Sequence, residues 1–455
     1  MSKLSSSSLI SHSQTTSSRL HLLVLSNGHG EDAIARSIVK ELQELPDPPE
    51  IFALPIVGEG KAYQNLNIPL ISSVRTMPSG GFVYMDSKEL IRDVRGGLLQ
   101  LTWQQIQAIR KWVKIQKKAG HKSAILAVGD IVPLLFAWIS DTNYSFVGTA
   151  KTEYYVRNES GLLKRNNKSA KWENFSGSIY HPWERWLMTR DRCKAIFPRD
   201  TLTTQILKKW DKIHAFDLGN PMMDGLEPKF PKQRFYKADF QKKEIERPLV
   251  ITLLPGSRPP EVYQNWENII IGVSSLIARF QEPQFIGHTS GEIIFIGAIA
   301  PNLEIEKLYE SMENKGWQTS SESPLDIPET KMLTFRQKNV YMILTQNAYN
   351  EALHLGDLAI ATAGTATEQF VGLGKPAITI PGKGPQFNSG FAEAQSRHLG
   401  SSVILVEKPS EVAEKVRTLL ADPDKFHIAS QEGIKRMGKP GAAKRIAQCL
   451  IERLG

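Results

Sequence analysis

Residues Leu249-Val250-Ile251-Thr252-Leu253-Leu254-Pro255-Gly256-Ser257-Arg258 decide the fold. The run Leu249 to Leu254 is apolar without alternation, so it reads as a strand buried on both faces, as in a parallel sheet covered by helices. Gly256, Ser257 and Arg258 then fall just past the carboxyl end of that strand. In open α/β sheets this edge is where ligands bind. Glycine lets the backbone approach a phosphate closely, and a following helix N-terminus adds N–H donors and partial positive charge. An arginine there can grip two phosphate oxygens in parallel. The pattern recurs where Leu358-Ala359-Ile360-Ala361 is followed by Thr362-Ala363-Gly364-Thr365-Ala366-Thr367. The two turns point to a nucleotide-diphosphate site in the C-terminal half.

Outward from this point, strand and helix patterns alternate in both directions. Leu20 to Leu25 is a short apolar strand, Ser26-Asn27-Gly28-His29-Gly30-Glu31-Asp32 a turn, and Ala33 to Leu45 an amphipathic helix. Ile51–Pro55, Ala124–Val128 and Tyr144–Val147 read as further strands, and Ala377–Ile380 and Val403–Leu405 continue the second half. The expected class is α/β, with two doubly wound, Rossmann-like domains facing across a cleft. A Ser-rich disordered tail is expected at 1–19, in preference to an organellar targeting segment. The first domain is expected at 20–226, a Pro- and Lys-rich linker at 227–248, and the second domain at 249–455 with the terminal helices.

The chain has 455 residues, 41% hydrophobic and 23% charged, the balance of a globular protein with a substantial core. Two cysteines exclude a disulfide scaffold and fit a reducing compartment. A net charge of +9 favours anionic partners. No nucleic-acid motif and no metal-ligand spacing is present, so neither nucleic acid nor a metal is expected.

Three segments together resemble bacterial lipid-A-disaccharide synthase. Leu254-Pro255-Gly256-Ser257-Arg258 with Glu261 resembles its "LLPGSR..E" motif, Leu218-Gly219-Asn220-Pro221-Met222-Met223-Asp224 its "GHP..D" segment, and Ala363-Gly364-Thr365-Ala366-Thr367 its "SGTAT" segment. The resemblance covers about Leu218 to Gly400 and is strongest to the lipid-A-disaccharide synthase-related proteins of photosynthetic bacteria. It implies a GT-B fold and an inverting glycosyltransferase of glycolipid (lipid A-type) synthesis. Such an enzyme moves a hexose or N-acylated hexosamine from a UDP-sugar to a membrane lipid, with no cofactor and no metal. Two departures stand out. The family's "GEASGD" turn is here Gly28-His29-Gly30-Glu31-Asp32. The family's acidic residue one place beyond its last Thr is here Gln369, with Glu368 directly after Thr367. A one-residue shift turns a side chain by about 100° on a helix. Either Glu368 reaches the ribose differently or Gln369 substitutes for it.

The candidate donor-binding residues are therefore Gly256, Ser257, Arg258, Gly364, Thr365, Thr367, Glu368 and Gln369, with Gln386 and Asn388 from a later Gly- and Pro-rich loop. Arg258 can stabilise the charge of departing UDP, or form a surface ion pair with Glu261. Gly364, Thr365 and Thr367 cap a helix, with or without a ligand, and Gln386 and Asn388 serve the donor or a polar turn. Asp130, directly after a buried strand, reads as the base that takes the acceptor's proton, or as a helix N-cap. His29 is the alternative base or an ordinary helix-start residue, and Gly28, Gly30 and Glu31 complete the acceptor-side turn.

The segment 82–122 interleaves Leu90, Ile91, Leu101, Trp103, Ile109 and Trp112 with Arg92, Arg95, Arg110, Lys111 and Lys114. It reads as a membrane-contacting surface or as amphipathic helices packed on the core. His181-Pro182-Trp183-Glu184-Arg185-Trp186 extends it. The location that follows is cytoplasmic, peripheral to the inner face of a membrane. The competing functions are a UDP-sugar 2-epimerase-type isomerase and a non-catalytic nucleotide-sugar-binding protein at a membrane.

Overall fold

The computed structural model describes residues 19–72, 98–164, 175–229, 248–280, 293–327, 332–384 and 387–455. The tail at 1–18, most of the expected linker, residues 82–97 of the basic segment and Gln386 lie outside the described residues.

The first sheet is parallel. It contains β1 (Leu20–Ser26), β2 (Glu50–Pro55), β3 (Lys122–Gly129), β4 (Asn143–Gly148) and, beyond the short hairpin β5 (Arg157–Asn158) and β6 (Gly161–Leu162), β7 (Cys193–Pro198). Their order is β2-β1-β3-β4-β7. The strand order reverses beside β1, which places a crevice at the carboxyl ends of β1 and β3. One face is covered by α1 (His29–Gln43), whose Ile34, Ile38, Val39 and Leu42 are buried. The other carries α2 (Leu98–Lys118) and α3 (Ile131–Ile139). Leu101, Ile109, Trp112 and Val113 of α2 enter the core at helical spacing, and buried Gln105 donates to the Ile56 carbonyl at 2.8 Å. From Gln100 on, where its side chains are described, the apolar stripe of this helix is consumed by the core, with Trp103 and Ile115 its exposed large apolar residues. In this stretch the helix takes the core-packed of the two readings of the segment.

The second sheet contains eight strands: β8 (Leu249–Leu254), β9 (Ile293–Ala298), β10 (Gln318–Thr319), β11 (Leu333–Gln337), β12 (Val340–Thr345), β13 (Leu358–Ala361), β14 (Ala377–Thr379) and β15 (Val403–Leu405). Their order is β10-β11-β12-β9-β8-β13-β14-β15. The sheet is parallel from β12 to β15, with β10 and β11 added antiparallel at one edge. Every residue of β8, β9 and β13 is buried, as strands covered on both faces require.

The last helix, Ala442–Leu454, does not stay with the second sheet. Its Ala443, Ile446, Ala447, Leu450 and Leu454 pack with Leu22, Val24, Ile34 and Ile38 in the first domain's core. The expected placement of all terminal helices in the second domain is corrected accordingly. An amphipathic pattern fixes which face is buried but not the sheet it meets. Among the described residues, no helix is long and apolar enough to cross a membrane.

Candidate functional site

The turn after β1 and the turn after β3 build the first wall. Gly129 ends β3 with φ 138°, and a Cβ there would meet Pro133, Asn27 and Glu31 at 3.1–3.4 Å. The two turns therefore touch only because this position has no side chain. Asn27 donates from Nδ2 to Asp130 Oδ2 at 3.0 Å, while Asp130 Oδ1 accepts from the Val132 amide at 2.8 Å. Asp130 is thus the N-cap of α3, with both oxygens engaged.

Glu31 stands beside it in the first turn of α1. The Thr149 hydroxyl, just past β4, donates to its Oε1 at 3.4 Å. Burial pushes the Glu31 carboxyl up to about 7, and the charges of Asp130 and Asp32 act in the same direction. Burial also raises Asp130. Asp32 is held by Ser26 Oγ at 2.5 Å, and that hydroxyl also meets Tyr63. Gly28 precedes the helix without a side-chain cap, and Gly30 is exposed with open space about it. The His29 side chain lies outside the described residues.

The second wall comes from the turns after β8 and β13. Gly256, at φ 97°, brings its backbone close enough that a Cβ would lie 3.7 Å from the Thr362 carbonyl. Asn265, in α4 (Glu261–Phe280), bridges the pair by donating toward the Pro255 and Thr362 carbonyls at 3.3 and 3.4 Å. Glu261 accepts from the Phe387 amide at 2.8 Å, which fixes the later loop to the same turn. Burial lowers the Arg258 guanidinium from its ordinary value, opposed by the charges of Glu261 and Glu31. Arg258, from the second domain, therefore lies within the field of Glu31, from the first. Ser257 is exposed.

Helix α5 (Thr365–Gly372) begins at Gly364 with no side-chain cap, and Thr365 is exposed there. An uncapped helix end of this kind can accept anion oxygens. The other described donor candidates make contacts within the protein. Thr367 donates back to the Ala363 carbonyl at 2.6 Å. Asn388 accepts from the Phe391 amide at 2.9 Å as the N-cap of Ser389–Leu399. Gln369 donates to the Met222 carbonyl at 2.9 Å and accepts from Tyr349 at 2.6 Å. Glu368 pairs with Arg199 at 2.8 Å and lies 3.4 Å from His398 Nδ1. Thr367, Asn388, Gln369 and Glu368 thus each hold a contact within the protein.

Arg199, Thr149 and the pair of half-buried Lys151 with buried Glu184 (2.5 Å), whose charges both act on Asp130, were not among the sequence candidates. The available signal was position: Thr149 and Arg199 each fall directly past a buried strand at the same sheet edge.

No protein-family model and no curated protein matches the chain. Solved structures do. MnaA of S. aureus, in a co-structure with UDP, is 12% identical over 96% of this chain and 97% of that chain, with a TM-score of 0.53. A Listeria monocytogenes protein described as a UDP-N-acetylglucosamine 2-epimerase is 13% identical over 95% and 96%, with a TM-score of 0.52. MurG of Acinetobacter baumannii is 12% identical over 95% and 99%, with a TM-score of 0.51. The likeness is one of fold: two α/β domains with parallel-strand sheets, the GT-B arrangement.

Proposed function

We propose that this protein is a UDP-sugar-using glycosyltransferase that passes the sugar to a lipid hydroxyl, with Glu31 as the base and Arg258 as the cation that receives the leaving diphosphate. The observation that carries the reading is the placement of Glu31 and Arg258 across the two domains. Burial raises the carboxyl to about 7, and the guanidinium sits on a glycine turn past a buried strand. UDP and UDP-sugar chemistry among the structural neighbours supports the donor class.

The acceptor oxygen attacks the anomeric carbon as the bond from that carbon to the β-phosphate oxygen breaks. The acceptor proton passes to Glu31, and the electron pair leaves with UDP toward Arg258, Gly256 and the open end of α5 at Gly364 and Thr365. A base with a pKa near working pH combines the right protonation state with useful driving force. A fixed guanidinium favours the charge of the transition state over that of the intact donor. Inversion at the sugar follows from the resemblance to lipid-A-disaccharide synthase. Asp130 acts through Glu31, since its own oxygens hold Val132 and Asn27. His29, in the same turn, is the second candidate base.

A lipid acceptor is supported by the outer face of α3 and the helix Pro182–Met188. There Leu135, Trp183 and Trp186 are exposed, Trp138 packs on Trp186 at 5.2 Å, and Arg190 covers the Trp186 ring at 4.4 Å. Aromatic side chains with cations suit the interface of an anionic bilayer.

A second reading, the 2-epimerase, is favoured by the adjacency of two carboxyl groups, Glu31 and Asp130, and by the Listeria neighbour. The test is incubation with UDP-sugars and a lipid extract, following UDP release and lipid mass. A lipid gaining one sugar, absent with Glu31→Gln and Arg258→Ala, supports transfer. Conversion of UDP-sugar without a lipid product supports the epimerase. UDP binding with no turnover supports the non-catalytic reading.

A further inference from the structure

We infer that Arg199 and Glu368 form a latch between the two domains that sets the position of helix α5 relative to the Glu31 pocket, and are positioning residues for the reaction. The inference rests on the proposed reading of Glu31 and of Gly364–Thr365 as the two halves of one site.

Arg199 directly follows β7, and Glu368 lies in the first turns of α5. Their side chains meet at 2.8 Å, and both residues are buried. The same guanidinium donates through Nη1 to the Thr149 carbonyl at 3.0 Å, while the Thr149 hydroxyl reaches Glu31. One side chain therefore holds the strand end that borders the base and the helix that opens toward the donor.

The contact has a second layer. His398 Nδ1 lies 3.4 Å from the other Glu368 oxygen, and its ring stands edge-on to Tyr155 of the first domain at 5.5 Å. Arg397 donates to the Tyr155 carbonyl. Arg436 donates to the Arg397 and His398 carbonyls at 3.0 and 2.8 Å, with its guanidinium 3.7 Å from the centre of the Tyr154 ring.

An apolar contact would hold two surfaces together without fixing their register. A planar guanidinium spanning a carboxylate and a carbonyl fixes direction as well as distance. Lysine keeps the charge but lacks the fork. The latch also gives the displaced carboxylate of the sequence a purpose of its own: Glu368 faces Arg199, where Gln369 faces Tyr349 and Met222.

The test compares wild type, Glu368→Gln, Arg199→Lys and the exchanged pair Arg199→Glu/Glu368→Arg. UDP affinity is measured by calorimetry, UDP-sugar turnover by UDP release, and domain separation by small-angle scattering, with circular dichroism to confirm folding. Each single variant is expected to keep UDP affinity within about threefold, to lose about 100-fold in kcat with little change in KM, and to show a larger radius of gyration. The exchanged pair is expected to recover compactness. Loss of UDP affinity in Glu368→Gln at unchanged radius of gyration would overturn the latch and make Glu368 a ligand group. Unchanged kcat and radius of gyration in both single variants would overturn it as well. If wild type turns over no UDP-sugar, the proposed reaction fails, and the scattering alone decides whether the pair holds the domains.

Discussion

Asp224 caps the returning C-terminal helix at Ala443: its Oδ2 accepts the Ala443 amide at 2.7 Å, and Oδ1 accepts the amides of Gly441 and Ala442 at 2.5 and 3.1 Å. Arg445 completes the stitch by donating to the Leu218 carbonyl at 2.9 Å. The Leu218–Asp224 segment thus serves as the crossing where the last helix rejoins the first sheet. Asn220 shapes it by accepting the Met222 amide at 3.1 Å. Asp224→Ala is expected to cost about 0.5–2 kcal/mol, the range for losing an N-cap. Denaturant melts would measure that loss, and hydrogen exchange would show lost protection confined to residues 442–454.

Glu31 carries a cost in stability. Its carboxyl is raised from 4.5 to about 7 in the folded chain, so between these values the folded state holds a proton that the unfolded state releases. That contribution is present at low pH and is lost as pH rises through 7. Glu31→Gln is therefore expected to be more stable than wild type at pH 8, by about 1–3 kcal/mol. The difference disappears about one pH unit below the ordinary value, near pH 3.5, where the carboxyl is largely protonated in either state. Urea melts at the two pH values check it, and equal stability at pH 8 contradicts the burial of a charge.

His21 works in the opposite sense. Burial lowers its pKa, its ring stacks on His121 at 4.1 Å, and Nε2 lies 3.4 Å from Glu50. Below its ordinary value near 6.5 the unfolded chain takes up the proton more readily. The stability it contributes is full above that value and is lost as pH falls toward the folded value. His21→Gln is expected to flatten the difference in thermal midpoint between pH 7.5 and pH 5.5.

Arg258→Ala is expected to weaken UDP binding by about 10- to 100-fold, the range for a charge-assisted hydrogen bond. Arg258→Lys is expected to recover only part of it, because the second parallel bond is missing. Calorimetric titration with UDP measures both.

The strands that carry the site were legible because each is an unbroken apolar run. Leu249–Leu254 and Leu358–Ala361 are buried throughout, with their glycines just past the carboxyl end. β10 was not legible, since Gln318 and Thr319 form a two-residue exposed edge with no pattern to read. Terminal helices were expected in sequence, but nothing there named the first sheet as the partner of Ala442–Leu454. Asp130 carried both of its readings in sequence, and the cap is the one its contacts occupy. Glu368 was legible as displaced, but its partner lies 169 residues away, a distance that spacing cannot bridge.

The pH dependence of kcat/KM for UDP release tests the central claim most directly, with Glu31→Gln and Asp130→Asn measured beside wild type. The account predicts an acid limb near pH 7 in wild type, and loss of turnover across the whole range in Glu31→Gln. In Asp130→Asn it predicts an acid limb moved to lower pH, because one of the neighbouring charges that raise Glu31 is gone. A Glu31→Gln enzyme that keeps its rate and its acid limb, while Asp130→Asn is inactive, would contradict the account and make Asp130 the base.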